Sequence, residues 1–179
     1  MLHPTRAVPP LSVETLDHGP YELGRDHGPN GTLLVFYRGL HCPLCIRQMT
    51  EIEAELDQFA DLGVEVTMLS ADGRERAQQT ADKAGVKSVR IGYGLPLKAA
   101  RDDWKLHLSS ARGGTTEPQV FHEPGHFYVD ADGTLCFGWV QTSPFGRPTL
   151  SDLLGAIRFH VDKGYPPRGT FTGPLPDDS

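Results

Sequence analysis

The sequence predicts an α/β domain built on a central mixed β-sheet with helices on both faces. Three observations carry that expectation. Leu33-Leu34-Val35-Phe36-Tyr37 is a continuous apolar run, as a strand buried on both faces requires. A helix-period stretch follows, and after a short connection comes Val64–Leu69, alternating and β-branched, which reads most simply as a parallel crossover back beside the first strand. Finally, Phe127-Tyr128-Val129 and Thr134–Val140 flank Asp130-Ala131-Asp132-Gly133, a hairpin signal that turns the sheet antiparallel.

Taken in order, residues 1–10 carry Pro4, Pro9 and Pro10 and read as an irregular tail, as do residues 165–179 with Pro166, Pro167, Pro174 and Pro176. The folded domain is expected over 11–164. Pro29-Asn30-Gly31 marks the turn before the central strand, and Arg38-Gly39-Leu40-His41 the loop after it. Ile46, Met49, Ile52, Leu56 and Phe59 recur at helical spacing up to Gly63, which predicts one long helix. Asp72 three residues before Glu75 reads as an acidic N-cap for a second helix, running to Ala84 and stopped by Gly85. Val89-Arg90-Ile91 is a candidate third parallel strand, followed by a short helix around Pro96–Trp104 and a Gly- and Thr-rich loop near 109–118. Thr149 with Asp152 opens a last helix whose Leu150, Leu153, Leu154, Ile157 and Val161 share one face, ended by Gly164.

Composition narrows the function. A chain of 179 residues suits one domain with its own core. With 17 Lys and Arg against 23 Asp and Glu, the net charge of -6 offers no basic field for nucleic acid or anionic lipid. No apolar run approaches the ~20 residues of a membrane span, so no membrane partner is expected. MLHPTRAVPP lacks the pattern of a secretory signal, which makes the cytoplasm the expected location. Three cysteines, two of them three positions apart, do not make a disulfide framework and point to reactive thiols.

The chemistry gathers at Cys42-Pro43-Leu44-Cys45, between the buried strand and the long helix. Unpaired amide N–H groups and the positive end of the helix dipole stabilise a thiolate there, which makes Cys42 the expected nucleophile. Cys45, almost one turn in, can reach the first sulfur and is the expected resolving thiol. Pro43 fits the helix start without losing a hydrogen bond. His41 could lower the Cys42 pKa by charge or hydrogen bonding, and Arg38 could supply positive charge, bind a peroxide oxygen or form a surface ion pair. Arg147, in Phe145-Gly146-Arg147-Pro148, could face the same cleft, but a cap on the last helix or an exposed position is the favoured expectation, and Cys136 is expected to be a small core residue. Two other readings stand beside redox use: a pair of unreactive core cysteines, or half of a zinc site. His122 and His126 have His-x3-His spacing, but they lie far beyond a finger's ~12–15-residue gap and Pro124 stands between them.

The order strand, Cys-x-x-Cys helix, parallel strand, then Pro124-Gly125-His126-Phe127-Tyr128-Val129-Asp130-Ala131-Asp132-Gly133 resembles the thioredoxin superfamily. The segment Phe36–Cys45, with its aromatic-Arg-Gly-x-x-Cys-x-x-Cys pattern, resembles the peroxiredoxin-like branch of the alkyl hydroperoxide reductase/thiol-specific antioxidant (AhpC/TSA) family. The resemblance implies a thioredoxin-like fold with a cis-proline at Pro124 facing the cysteine pair. It also implies an antioxidant oxidoreductase, a thiol-disulfide oxidoreductase or thiol peroxidase, with Cys42 and Cys45 catalytic and Arg38, His41, Pro43 and Pro124 positioning substrate or tuning the thiols. Its substrate would be a peroxide or disulfide, its reductant a thiol such as the thioredoxin or glutathione system, with no cofactor and room for a homodimer. The alternative is a non-catalytic binding module of the same fold, with or without a metal on Cys42 and Cys45. One departure from typical peroxiredoxins matters most: Gly39 stands three residues before Cys42, where they carry Thr or Ser.

Overall fold

A computed structural model describes residues 1–176. In chain order the elements are β1 (Ser12–Thr15), β2 (Tyr21–Glu22), β3 (Thr32–Phe36), α1 (Pro43–Ala54), α2 (Leu56–Asp61), β4 (Glu65–Leu69), α3 (Arg74–Ala84), β5 (Arg90–Tyr93), β6 (Leu108–Ser110), β7 (Val120–His122), β8 (Gly125–Val129), β9 (Leu135–Val140) and α4 (Leu150–Lys163). Seven strands form one sheet in the order β2-β1-β5-β4-β3-β8-β9. The β3–β4 and β4–β5 pairs are parallel, while β8 and β9 continue antiparallel from β3, and β1 and β2 antiparallel from β5. This is the thioredoxin-like mixed sheet that the sequence implies.

The central strand explains the layers. All five residues of β3 are buried, and successive side chains point to opposite faces. Leu33 and Val35 join Met49, Ile52, Ala77, Ala81, Leu153 and Ile157, so α1, α3 and α4 cover one face. Leu34 and Phe36 join Leu95, Ala100, Trp104, Leu106 and Phe127 on the other. That second face is covered by a short π-helical turn, Ala99–Asp103, where the rings of Phe36 and Trp104 lie 5.0 Å apart and those of Trp104 and Phe127 5.1 Å apart.

The structure departs from the sequence expectations in local detail. The long helix is two, interrupted at Glu55. Gly73, not Asp72, is the N-cap of α3, and Asp72 turns its carboxylate to the Leu40 N–H and the Arg76 side chain instead. The 109–118 region is not all loop, because β6 and β7 pair across it. Residues 1–10 form no named strand, yet Thr5 and Val8 donate to the Leu135 and Gly133 carbonyls and tie the segment to the end hairpin. In the second tail residues 165–176 form no helix or strand, and 177–179 lie outside the described residues. The capping box of α4 is present, with the Thr149 side chain accepting from the Asp152 N–H, and Gly164 closes the helix at φ 61°.

No cis peptide bond occurs among the described residues. The bond before Pro124 is therefore trans, a correction to the cis-proline that the resemblance implies. The local reason is continuity: only Glu123 and Pro124 separate β7 from β8, and the Glu123 N–H is bonded to the His107 carbonyl.

Candidate active site

α1 begins where β3 ends, and that junction positions both sulfurs. Cys42 is the N-cap residue with extended backbone (φ -109°, ψ 100°), Pro43 follows at the start of the helix, and Cys45 lies one turn in. Their burial differs in kind. Cys42 is 1 % exposed but lines an open cavity of about 560 Å³, whereas Cys45 is 0 % exposed and faces the core. Both are reduced thiols.

Arg147 reaches this pair across 105 positions of sequence. Its Nη2 donates to Cys45 Sγ at 3.0 Å and to Cys42 Sγ at 3.5 Å, Nη1 donates to Gln48 Oε1 at 3.0 Å, and Nε donates to the Pro144 carbonyl at 2.9 Å. The backbone N–H of Arg38 also donates to Cys45 Sγ, at 3.3 Å. The Gln48 carbonyl oxygen accepts a second bond, from His126 Nε2 at 3.2 Å. The expectation that Arg147 caps α4 or lies exposed is thus corrected: Thr149 caps the helix, and half-buried Arg147 turns inward to the thiols.

These contacts separate the two thiols. The pKa of Cys42 is lowered to about 5, first by a hydrogen bond from the Cys45 thiol, then by the Cys45 N–H, the Arg147 charge and the Arg38 side chain, all acting against burial. Cys45 is pushed up, first by burial and then because its proton is engaged with Cys42. Negative charge therefore collects on the sulfur beside the cavity.

The cavity wall also holds Arg38, His41 and Pro43, but not Pro124. The Arg38 guanidinium lies 4.6 Å over the Phe121 ring, pairs with Glu123 at 3.1 Å and approaches Glu117 at 3.8 Å. Glu123 is fixed in turn by the Ser109 hydroxyl at 2.7 Å. His41 packs against Phe121 at 4.6 Å between ring centres with the rings tilted by 59°, and neither ring nitrogen has a hydrogen-bond partner. Its pKa is lowered, mainly by burial and then by the Arg38 charge, which disfavours the charged ring. The charge contemplated for His41 comes from Arg147 and Arg38.

Gly39 shows why the loop departs from the usual pattern. Its φ is 123°, and a Cβ there would stand 2.5 Å from Asp72 Oδ2. The same oxygen accepts the Leu40 N–H at 2.8 Å, so the space a side chain would take is filled by the carboxylate that pins the loop.

His122 and His126 do not converge with the cysteines as a ligand set. His122 donates from Nδ1 to the Glu123 carbonyl and meets Phe36 edge-on, while His126 bonds Gln48 of α1. Among the described residues no group of three or more His, Cys, Asp or Glu is placed to hold a metal ion. Cys136 is buried beside His160 and Asp130, and burial pushes its thiol pKa up to about 12. No helix among the described residues is long and apolar enough to cross a membrane.

Comparison with known proteins bears on family and fold. Residues 4–137 match the AhpC/TSA family. Among solved structures, the chain is similar to a cysteine-to-serine mutant of peroxiredoxin 6 from Arenicola marina, at 16% identity and TM-score 0.71, covering 88% of this chain and 72% of that one. It is also similar to a reduced Prx3 from Vibrio vulnificus in complex with H2O2, at 11% identity and TM-score 0.72, covering 88% and 99%. A third is the peroxidoxin BcpB from Mycobacterium tuberculosis, at 16% identity and TM-score 0.63, covering 91% and 94%. Comparison with curated proteins gives no match.

Proposed function

The chain belongs to the AhpC/TSA family, and from that premise we propose that it is a thiol peroxidase in which Cys42 attacks a small peroxide and Cys45 closes the Cys42–Cys45 disulfide. The observation that carries this reading is the unequal pair: a sulfur of depressed pKa at the wall of an open cavity, with a second, protonated sulfur behind it on the same helix. The thiolate attacks one peroxide oxygen, the O–O bond breaks, and the departing alkoxide or hydroxide takes a proton from solvent. Cys42 is left as a sulfenic acid. Cys45 then forms the S–S bond, releasing the sulfenic oxygen as water, and an external thiol reductant, one dithiol of a thioredoxin-type system or two monothiols of a glutathione-type system, takes over the disulfide and restores both thiols.

Depth favours a peroxide over a protein disulfide. Cys42 is 1 % exposed and Pro144 and Phe145 help to line its cavity, so a partner disulfide could align with the sulfur only after that wall moved. A small peroxide needs no such movement. Pro43 and His41 shape the wall, Arg38 adds positive charge near Cys42, and buried Pro124 leads into β8 without lining the cavity.

Thiol counting under limiting peroxide tests the reading. Wild type should lose two titratable thiols, Cys45→Ser one and Cys42→Ser none, and equal losses in wild type and Cys42→Ser would overturn it. The rate of Cys42 oxidation should be flat between pH 7 and 9 and fall only on the acid side, toward about pH 5, because thiolate grows as pH rises through a pKa already below neutrality. A rate still climbing through pH 8.5 would show an ordinary thiol.

A further inference from the structure

The Arg147 fork is closer to the thiol expected to act second. Nη2 is 3.0 Å from Cys45 Sγ and 3.5 Å from Cys42 Sγ. Cys45 is wholly buried, so no water can solvate its thiolate, and a buried charge needs fixed donors. Two are already aimed at it, Arg147 Nη2 and the Arg38 backbone N–H. We propose that Arg147 serves the two sulfurs in turn, holding negative charge on Cys42 before peroxide reduction and on Cys45 during disulfide closure, with Gln48 as the positioning residue that keeps it between them. This rests on the peroxidase reading above.

The sequence of charges makes the transfer natural. Once Cys42 is a sulfenic acid it is neutral, and Arg147 has lost its anion there. Cys45 then needs a counter-charge as its S–H proton leaves. The Cys45 sulfur attacks the Cys42 sulfur, the S–O bond breaks, and the hydroxide released carries away the Cys45 proton as water. Arg147 need not travel, because one nitrogen already spans both sulfurs.

Gln48 suits the task by being neutral. Its carbonyl oxygen takes Arg147 Nη1–H and His126 Nε2–H together. A carboxylate in its place would compete with the sulfurs for the cation. His126 is buried and, with its pKa lowered by burial and by Arg147, stays uncharged, so it orients the amide without opposing the guanidinium.

Single-turnover kinetics separate the two steps: peroxide consumption reads the first, and the decay of dimedone-reactive sulfenic acid into disulfide reads the second. Arg147→Met should slow closure about tenfold or more, the loss expected for a charge-assisted hydrogen bond in a buried site, and let sulfenic acid accumulate. Arg147→Lys keeps the charge and guards against a folding artefact. It should recover most of the first step but little of the second, because an ammonium cannot reach Gln48 and both sulfurs with one planar fork. Gln48→Leu, which removes no group bonded to sulfur, should move the pH profile of closure toward alkaline pH. Unchanged closure rates and pH profiles in these variants, with only the first step slowed, would assign Arg147 to Cys42 alone and overturn the proposal. Wild-type protein that forms neither sulfenic acid nor disulfide overturns the peroxidase reading beneath it.

Discussion

Replacing Gly39 by Thr would install the residue that typical peroxiredoxins carry three positions before the cysteine, and the geometry here says the protein will not tolerate it. The backbone sits at φ 123°, where a side chain is strained, at a cost of about 1–3 kcal/mol. The new Cβ would also lie 2.5 Å from Asp72 Oδ2 and 2.9 Å from its Cγ. Asp72 must then withdraw from the Leu40 N–H, now bonded at 2.8 Å, and a lost hydrogen bond to a charged group costs about 1.5–3 kcal/mol. Together these give about 2.5–6 kcal/mol, a drop of about 1–3 M in the urea midpoint for an m-value near 2 kcal/mol/M. Urea unfolding followed by tryptophan fluorescence measures it. Adding Asp72→Ala should remove the collision, so the double variant should lose less than the sum of the single losses. A midpoint within ~0.3 M of wild type would refute the reasoning, as would a Gly39→Thr protein with a faster peroxide reaction.

Two further outcomes follow from other parts of the chain. Burial lowers the pKa of His122 to about 4 and that of His126, with help from Arg147, to about 3, against 6.5 when unfolded. The unfolded chain therefore binds more protons below pH 6.5, so their contribution is complete above that pH and is lost as pH falls toward 4 and 3, at about 2 kcal/mol per histidine by pH 5. Urea midpoints at pH 8 and pH 5 should differ less in His122→Gln than in wild type, and identical differences would mean that His122 is not held neutral. Thr149→Ala removes the side-chain arm of the α4 capping box, leaving the backbone N–H of residue 149 to the Asp152 carboxylate, and should cost about 1 kcal/mol, or roughly 2–4 °C in Tm, with an unchanged Tm counting against the cap.

The parts of the fold that were legible in the sequence are those encoded locally. β3 announced itself because burial on both faces removes every polar residue, and α4 because its Thr149 cap, apolar face and Gly164 stop agree. Glu55 gave no signal for the break between α1 and α2, since the apolar spacing continues across it from Ile52 through Leu56 to Phe59. β1 and β2 were missed because four-residue and two-residue strands at a sheet edge carry too few positions to show a period. At the site, the Cys-x-x-Cys spacing exposed both sulfurs, while the cation facing them was only the less favoured reading of Arg147. Arg147 sits beside a helix start and a proline, where local chemistry suggests a cap, and only the packing of α4 near α1 brings it to the thiols. Gln48 did leave a trace: it lies three residues beyond Cys45, within the buried stripe that continues through Met49 and Ile52, and an amide on such a face needs a buried partner.

Arg38 and Arg147 flank the same pair, yet they cannot carry equal electrostatic weight. Arg38 is held between Glu123 and Glu117, so much of its charge is neutralised before it reaches sulfur. Arg147 bonds to a glutamine amide, a backbone carbonyl and the two sulfurs, and no ion pair joins it to a carboxylate among the described residues. Its full charge is therefore directed at the thiols, in a setting where burial weakens solvent screening. The division also fits position: Arg38 lines the cavity beside Cys42, where paired acids prevent a strong excess of positive field, while Arg147 lines no part of that cavity and bonds both sulfurs directly.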